Sequence, residues 1–437
     1  MCERNTKYYI KELLNIAAPI IMGNLGFILI GVGDVIVAGR HSTDTFAAIS
    51  IATAIVNCIV TFSIGLISSI SPLLSNYRGE KRSVKKYFYP SIRFAMFWAF
   101  VTSIAICAVI PIIPYMGFED KLVYPVQEYM FISALSTFGA CLHACLKEFL
   151  QAFEIVLFPN LLTIFCVFLN VALNVILVFG WGFIPSMGVV GLAIASLIVR
   201  YFMGFVLLAY CYMNMSLRNF YEKGYYTSLI KIGFPVSLAV LVEFVAFNSI
   251  AILMGRVSGV YAAAQNLVCT LTTVSFMIPF AISNAIAVKV GFCNGAKNFT
   301  DLKKFAIVGT VISVCFMACS AAFFMSCPNF IVGIFTVDEE LFKISVPVIA
   351  VLGLFQVFDG LQISLAGVCK GIKQTGIVLL ANFVAYWLVS IPLGYFLAFQ
   401  MGLMLRGFWF GLVSAAVVLC VIMLFMLKRY FKANRLA

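Results

Sequence analysis

Twelve long apolar runs, separated by short polar connections, account for most of the 437 residues. They fall at roughly 13–38, 46–75, 91–115, 126–146, 157–180, 189–213, 230–255, 262–292, 304–327, 341–369, 375–400 and 407–428. A helix crossing a ~30 Å hydrocarbon core needs roughly 20 apolar residues. Each run meets that length, and the longer ones imply tilt or extension beyond the bilayer. None carries the period-two alternation of a membrane barrel strand. The pattern predicts an all-α integral membrane protein with twelve transmembrane helices. The connections are too short for a soluble catalytic domain, and the first run is far longer than a signal-peptide core, so no cleaved leader is expected.

Composition agrees with that pattern. The chain is 63% hydrophobic and 11% charged, against about half and a quarter in soluble domains, which excludes disorder and a conventional soluble enzyme. A net charge of +12 would point to nucleic acid in a soluble chain. Here the basic residues sort by side instead. With the N-terminus cytoplasmic, 23 of the 29 fall on cytoplasmic connections and helix edges. Arg40, Lys121, Arg256, Lys343 and Arg406 fall on the other side, and Arg200 lies mid-helix. Basic residues favour the cytoplasmic side, so both termini are expected to be cytoplasmic and no nucleic-acid partner is implied. The fourteen cysteines lie mostly inside the apolar runs, where a thiol is a small apolar side chain. Cys141/Cys145, which flank His143, and Cys315/Cys319 are read as structural, because too few ligands converge to hold a metal.

The chain also repeats itself. Leu14-Asn15-Ile16-Ala17-Ala18-Pro19 matches Ile230-Lys231-Ile232-Gly233-Phe234-Pro235 at an offset of 216. The same offset carries Gly39-Arg40 onto Gly255-Arg256, Ala47-Ala48 onto Ala263-Ala264, Gly79 and Lys81 onto Gly295 and Lys297, and Gly191 onto Gly407. Twelve helices thus divide into an N-terminal lobe, 1–216, and a C-terminal lobe, 217–437. An even number of helices per lobe gives both the same orientation, so a pseudo-two-fold axis along the membrane normal is expected. Such halves serve alternating access in transporters, and a channel or receptor has no comparable need for them.

Fourteen of the 17 acids lie in connections or near helix ends. Asp34, Glu243 and Asp359 lie inside the first, seventh and tenth helices. Each would cost about 2.5–3.5 kcal/mol at mid-bilayer on insertion scales, an expense that the fold alone does not require. Such an acid either lies near a helix end and pairs with a lysine, or belongs to a set of carboxyls lining a polar cavity that binds a cation or takes up protons; the second reading is the one expected here, with Arg200 as the internal countercharge, its partner left open. Asn170 and Asn174, one turn apart, fit either such a cavity or hydrogen bonding between helices. Gln265 is read as a cavity residue. Phe244 and Phe247, close to Glu243, are placed to meet a cationic substrate or to pack against neighbours.

Several segments resemble the multidrug and toxin extrusion (MATE) transporters, and the NorM-like branch in particular. They are Pro19 with Gly33-Asp34-Val35-Ile36-Val37-Ala38-Gly39, Gly65 with Pro72-Leu73-Leu74-Ser75, and Asn170-Val171-Ala172-Leu173-Asn174 with Gly191-Leu192-Ala193-Ile194-Ala195-Ser196. In the second half they are Glu243, Ala263-Ala264-Gln265, Asp359-Gly360, Tyr386-Trp387 with Pro392-Leu393-Gly394-Tyr395, and Gly407-Phe408-Trp409-Phe410-Gly411. The resemblance implies an antiporter in which entry of H⁺ or Na⁺ drives export of small cationic or amphipathic organic compounds. It assigns the cation or proton site to Asp34, Asn170, Asn174 and Ser196, with Glu243 and Asp359 as the acids of the second lobe. Na⁺ would sit at Asp34/Asn170/Asn174 or at Glu243/Asp359. Two positions depart from the family. Asn174 stands where some members have a second aspartate, and Phe355 stands where the NorM-like branch often has a tyrosine, so its ring offers no oxygen ligand.

No cofactor is implied beyond the coupling ion. The expected setting is the bacterial plasma membrane, with surrounding lipid and a monomeric chain. One charge crossing 100 mV supplies about 2.3 kcal/mol, enough for a roughly 50-fold substrate gradient at ~1.4 kcal/mol per decade. Two other readings fit less well. Gly31-Val32-Gly33-Asp34 spells the GxGD string of intramembrane aspartyl proteases, but the accompanying Tyr-Asp and Pro-Ala-Leu strings are missing. A flippase for a lipid-linked saccharide precursor would suit twelve helices, yet a pyrophosphate head group calls for cavity bases, and Arg200 is the clear one against three acids.

Overall fold

The computed structural model describes residues 5–182, 184–215, 222 and 224–433. Twelve helices among them are long and apolar enough to cross a membrane. They are α1 (Thr6–His41), α2 (Thr43–Gly79), α3 (Val84–Met116), α4 (Asp120–Gln151), α5 (Leu157–Phe179), α6 (Gly188–Asn214), α7 (Tyr225–Gly255), α8 (Gly259–Gly295), α9 (Phe299–Ser326), α10 (Glu339–Gly371), α11 (Thr375–Gln400) and α12 (Leu405–Ala433). A short helix, Pro328–Phe335, precedes α10. Asp34, Glu243 and Asp359 lie within α1, α7 and α10, as the apolar runs predict.

The helix ends follow local chemistry. Ser42 caps α2 by accepting from the Thr45 amide at 3.0 Å, and Asp338 caps α10 by accepting from the Leu341 amide at 2.7 Å. Glu339 and Glu340 then occupy the first turn of α10, where the helix dipole favours negative charge. Ser258, at the repeat offset from Ser42, adopts the same extended backbone and caps α8. Lys81 and Lys297, also related by 216, both take positive φ, 60° and 55°. The repeat therefore extends from sequence into backbone geometry.

Interruptions inside helices are satisfied internally, as a hydrocarbon setting demands. Where α2 breaks at Ser68-Ser69, the two hydroxyls donate to the Gly65 and Leu66 carbonyls, each at 2.7 Å. Helix α11 widens into π-type turns over Val384–Ser390 and Phe396–Gln400, a feature often found at functional sites.

The chain forms two compact units, Ala18–Ser237 and Met1–Ala17 with Leu238–Ala437. The boundary expected at 216/217 lies outside the described residues, as do Arg4, Arg218, Lys223 and Arg435 of the charge argument. Packing within each unit explains the grouping. In the first, Tyr225 stacks on Tyr87 with ring centroids 4.7 Å apart, and a Cβ on Gly233 would lie 2.7 Å from the Leu66 carbonyl oxygen. In the second, the opening turns of α1 are held by Lys289 Nζ, which donates to Glu12 at 2.5 Å, and by Tyr9, whose hydroxyl donates to Asp301 at 2.6 Å. Helix α4 is central in the first unit, packed on α2, α3 and α6; α10 is central in the second, packed on α8, α9 and α12.

Close helix contact in the second unit depends on Gly367, where a Cβ would sit 2.4 Å from the Ser283 carbonyl oxygen. Gly367→Ala must force α8 and α10 apart and is expected to cost about 1–3 kcal/mol. Gly31→Ala, with no heavy atom within 4 Å, is expected to be neutral or to stabilise by up to ~1 kcal/mol. Unfolding of the purified protein in detergent measures both, and equal effects would contradict the packing described.

Candidate functional site

Each unit contains one hydrogen-bonded cluster built around an intramembrane carboxyl. In the first unit α1 presents Asp34, which is 9% exposed. Asn174 of α5 donates its Nδ2 to Asp34 Oδ1 at 2.6 Å and to Asn170 Oδ1 at 3.1 Å. Ser196 of α6 donates to Asp34 Oδ2 at 3.3 Å. All four residues assigned to this lobe by resemblance thus meet in one place. Asn170 and Asn174 are fully buried, and Asn170 Nδ2 and Asn174 Oδ1 have no partner. One spare donor and one spare acceptor therefore remain beside the carboxylate.

Arg200 lies one turn beyond Ser196 on α6. Its Nη1 donates to Ser136 Oγ of α4 at 2.7 Å. It makes no direct ion pair among the described residues.

In the second unit Glu243 of α7 and Asp359 of α10 are joined through two residues that the sequence reading did not assign. The Tyr386 hydroxyl of α11 donates to Glu243 Oε1 at 2.9 Å. Gln362 Nε2 donates to Asp359 Oδ1 at 2.7 Å and to the Tyr386 hydroxyl oxygen at 3.3 Å. The chain Glu243–Tyr386–Gln362–Asp359 is thereby continuous, and Gln362 Oε1 remains buried without a partner. Phe355 gives no oxygen ligand, but Tyr386 brings a hydroxyl to the acids from a different helix. Gln362 had a signal in the sequence, since residues three apart on a helix are neighbours. Tyr386 lies 143 residues from Glu243, too far for any local pattern to pair them.

The other expected residues are placed unevenly. Phe247 joins an aromatic cluster, its ring centroid 6.2 Å from Phe355, 6.1 Å from Tyr386 and 6.1 Å from Trp409. Phe244 has no ring partner among the described residues, and its carbonyl accepts from Asn248. Gln265 is fully buried with its amide engaged, accepting from Trp409 Nε1 at 2.9 Å and donating to Cys269 Sγ at 3.2 Å. Cys141 and Cys145 are buried in α4, whereas Cys315 and Cys319 lie on an exposed face of α9. Chemically, each cluster can hold a proton or a small cation at a carboxyl shielded from water.

Comparison with known proteins gives a consistent result. A family model described as MatE matches residues 19–176 and 235–396. The probable multidrug resistance protein NorM of Rhizobium meliloti (strain 1021) is 26% identical over 433 residues, covering 94% of this chain and 92% of its own. The multidrug resistance protein NorM of Aliivibrio fischeri (strain ATCC 700601 / ES114) is also 26% identical, covering 95% and 93%. Among solved structures, a eukaryotic MATE transporter superposes with a TM-score of 0.88 at 21% identity, covering 97% of this chain and 96% of its own. An outward-facing multidrug resistance MATE family transporter gives 0.86 at 19%, covering 97% and 96%. At those identities the structures speak to fold alone.

The Tyr386 hydroxyl serves both acids' networks, so its loss should be felt at each. Tyr386→Phe is expected to destabilise by roughly 1–3 kcal/mol, because it leaves buried partners unmatched. Combined with Glu243→Gln, it should show a coupling of about 0.5–3 kcal/mol in denaturation of the detergent-solubilised protein. Strictly additive effects would mean that the residues do not act as one network.

Proposed function

This chain belongs to the MatE family, the multidrug and toxin extrusion transporters, and from that premise we infer that it is a secondary active multidrug efflux protein. It exports small organic compounds, cationic or amphipathic, against inward flow of H⁺ or Na⁺. The reading is carried by the presence in each unit of a buried carboxyl cluster, Asp34 with Asn174 and Ser196, and Glu243–Tyr386–Gln362–Asp359.

A carboxylate attracts a coupling ion and an organic cation alike. Where both use the same oxygen atoms, occupation by one releases the other, and exchange follows from competition. The hydrogen bonds to Asp34 and Asp359 hold the ionised forms in place, and a proton or Na⁺ neutralises them in turn. Phe247, beside the ring of Tyr386, offers an aromatic face on which an organic cation gains about 0.5–2 kcal/mol. Alternating access lets the carboxyls meet each side of the membrane in succession, with no covalent bond made or broken. Twelve apolar helices make the protein integral and multi-pass. The basic residues support cytoplasmic termini, and bacterial relatives support a plasma-membrane setting. A monomer suffices, because each cluster is complete within one chain.

Efflux of a fluorescent organic cation from proteoliposomes, under pH and Na⁺ gradients imposed separately, tests this reading. Asp34→Asn, Glu243→Gln and Asp359→Asn remove one carboxyl charge each. At least one variant is expected to slow gradient-driven efflux about tenfold or more, a barrier change of roughly 1.4 kcal/mol. Full gradient-driven transport by all three would refute the mechanism.

A further inference from the structure

We propose that His143 and Lys147, one turn apart on α4, form a binding site for the carboxylate group of a small organic anion. This goes beyond the transport reading above and does not depend on it. His143 is 8% exposed, and its Nε2 is buried without a hydrogen-bond partner. Cys141 and Cys145 beside it are buried in the same helix as small apolar groups. An imidazole differs from them, because each ring nitrogen is a donor or an acceptor in every protonation state.

Lys147 lies four residues on, so its Cβ stands about 5–6 Å from that of His143 on one helix face. Helical side chains lean toward the N-terminus of their helix, which carries the lysine chain back over the imidazole. Lys147 is part-buried and has no hydrogen bond or ion pair among the described residues. The neighbouring acid, Glu148, lies about 100° round the helix and off this face. Two turns before His143, Ser136 accepts from Arg200 Nη1 of α6 at 2.7 Å, adding a third base to the same face. One turn after Lys147, Gln151 Nε2 donates to Ser71 Oγ of α2 at 3.3 Å. The face therefore carries bases and neutral polar groups, and among the described residues no acid bonds to its three bases.

The repeat gives this face its meaning. The offset of 216 carries His143 onto Asp359, and α4 and α10 are each central in their unit. The same place in the scaffold thus holds a base in the first half and an acid in the second. An acid there suits a cation; a base suits an anion. Asp359 is partnered by Gln362 of its own helix, whereas the residues at the same offset from His143 leave the imidazole unbonded.

Burying a polar group is costly unless a hydrogen bond or an opposite charge offsets it. A carboxylate supplies both here: one oxygen accepts from the His143 Nε2–H, and the other accepts from the Lys147 ammonium. Hydrogen bonds to an ionised group are the stronger kind. Two donor groups match two oxygen atoms, while a phosphate would leave further oxygens unbonded in a part-buried place. Ala140 and Ala144, one turn to either side of the pair and part-buried, offer small apolar side chains to the body of an organic molecule.

Equilibrium binding of radiolabelled naphthoate to the purified full-length protein in phosphatidylcholine nanodiscs tests the proposal, with naphthamide as the neutral analogue. Saturable naphthoate binding is expected, about tenfold or more tighter than that of naphthamide. Lys147→Met and His143→Leu should each weaken it about tenfold or more, and Lys147→Arg, which keeps the charge, should bind as the parent does. Neither wild-type side chain has a partner to lose, so both variants are expected to fold. If either does not accumulate, the unaltered chain decides: bound naphthoate should protect Lys147 from an amine-acylating reagent, read by mass spectrometry. Absence of saturable binding, equal binding of acid and amide, undiminished binding by Lys147→Met, or no protection of Lys147 overturns the proposal. So does displacement of naphthoate by phosphatidylglycerol added to the nanodiscs, which would give the site to lipid head groups. Binding is read without a gradient, so its failure leaves cation efflux and the variants Asp34→Asn, Glu243→Gln and Asp359→Asn to be judged separately.

Discussion

The hydrocarbon core of a bilayer offers no water to complete a hydrogen bond, and every polar group placed there must find its partner within the protein. That constraint dictates the all-helical backbone, and it also sorts the polar side chains. Many hydroxyls return to their own helix: Ser50 to Phe46, Thr53 to Ile49, Thr272 to Val268 and Thr273 to Cys269. These bonds need no second helix and carry no message about function. The informative groups reach across helices, as Asn174 does to Asp34 and Tyr386 does to Glu243.

The repeat makes the divergence of the two clusters visible. Caps, a proline in the first helix and a left-handed lysine recur at the same offset, so the scaffolds of the two halves share a design. Their chemistry does not. The offset that relates Pro19 to Pro235 carries Asn170 onto Tyr386 and Asn174 onto Ser390, while Arg200 falls on Ala416. One half surrounds a single carboxyl with amides and a serine hydroxyl. The other links two carboxyls through a phenol and an amide, with an aromatic cluster alongside. Similar backbones thus support two hydrogen-bonded clusters of different composition.

Burial gives the clusters their force. Taking an ionised carboxyl from water is costly unless hydrogen bonds or opposite charge compensate, and each cluster compensates differently. Asp34 has two donors, Asn174 and Ser196. Asp359 has Gln362 and shares a network with a second acid. Asn170, Asn174 and Gln362 each keep one buried side-chain polar atom without a partner.

The sequence by itself determined the twelve helices, their likeness across the two halves and the three acids inside them. These follow from hydrophobic periodicity and length, which are local properties that a chain carries at each position. Ser42 and Asp338 announce their helices in the same way, by capping chemistry within one turn. The tertiary structure alone decided which groups meet. Asn174 reaches Asp34 across 140 residues and Tyr386 reaches Glu243 across 143. It turned Gln265 toward Trp409, bound the start of α1 to Lys289 and Asp301, and joined Arg200 of α6 to Ser136 of α4. Those outcomes depend on how helices rotate and cross, and an apolar face of similar residues leaves that rotation open until glycine contacts such as Gly139 and Gly367 fix it.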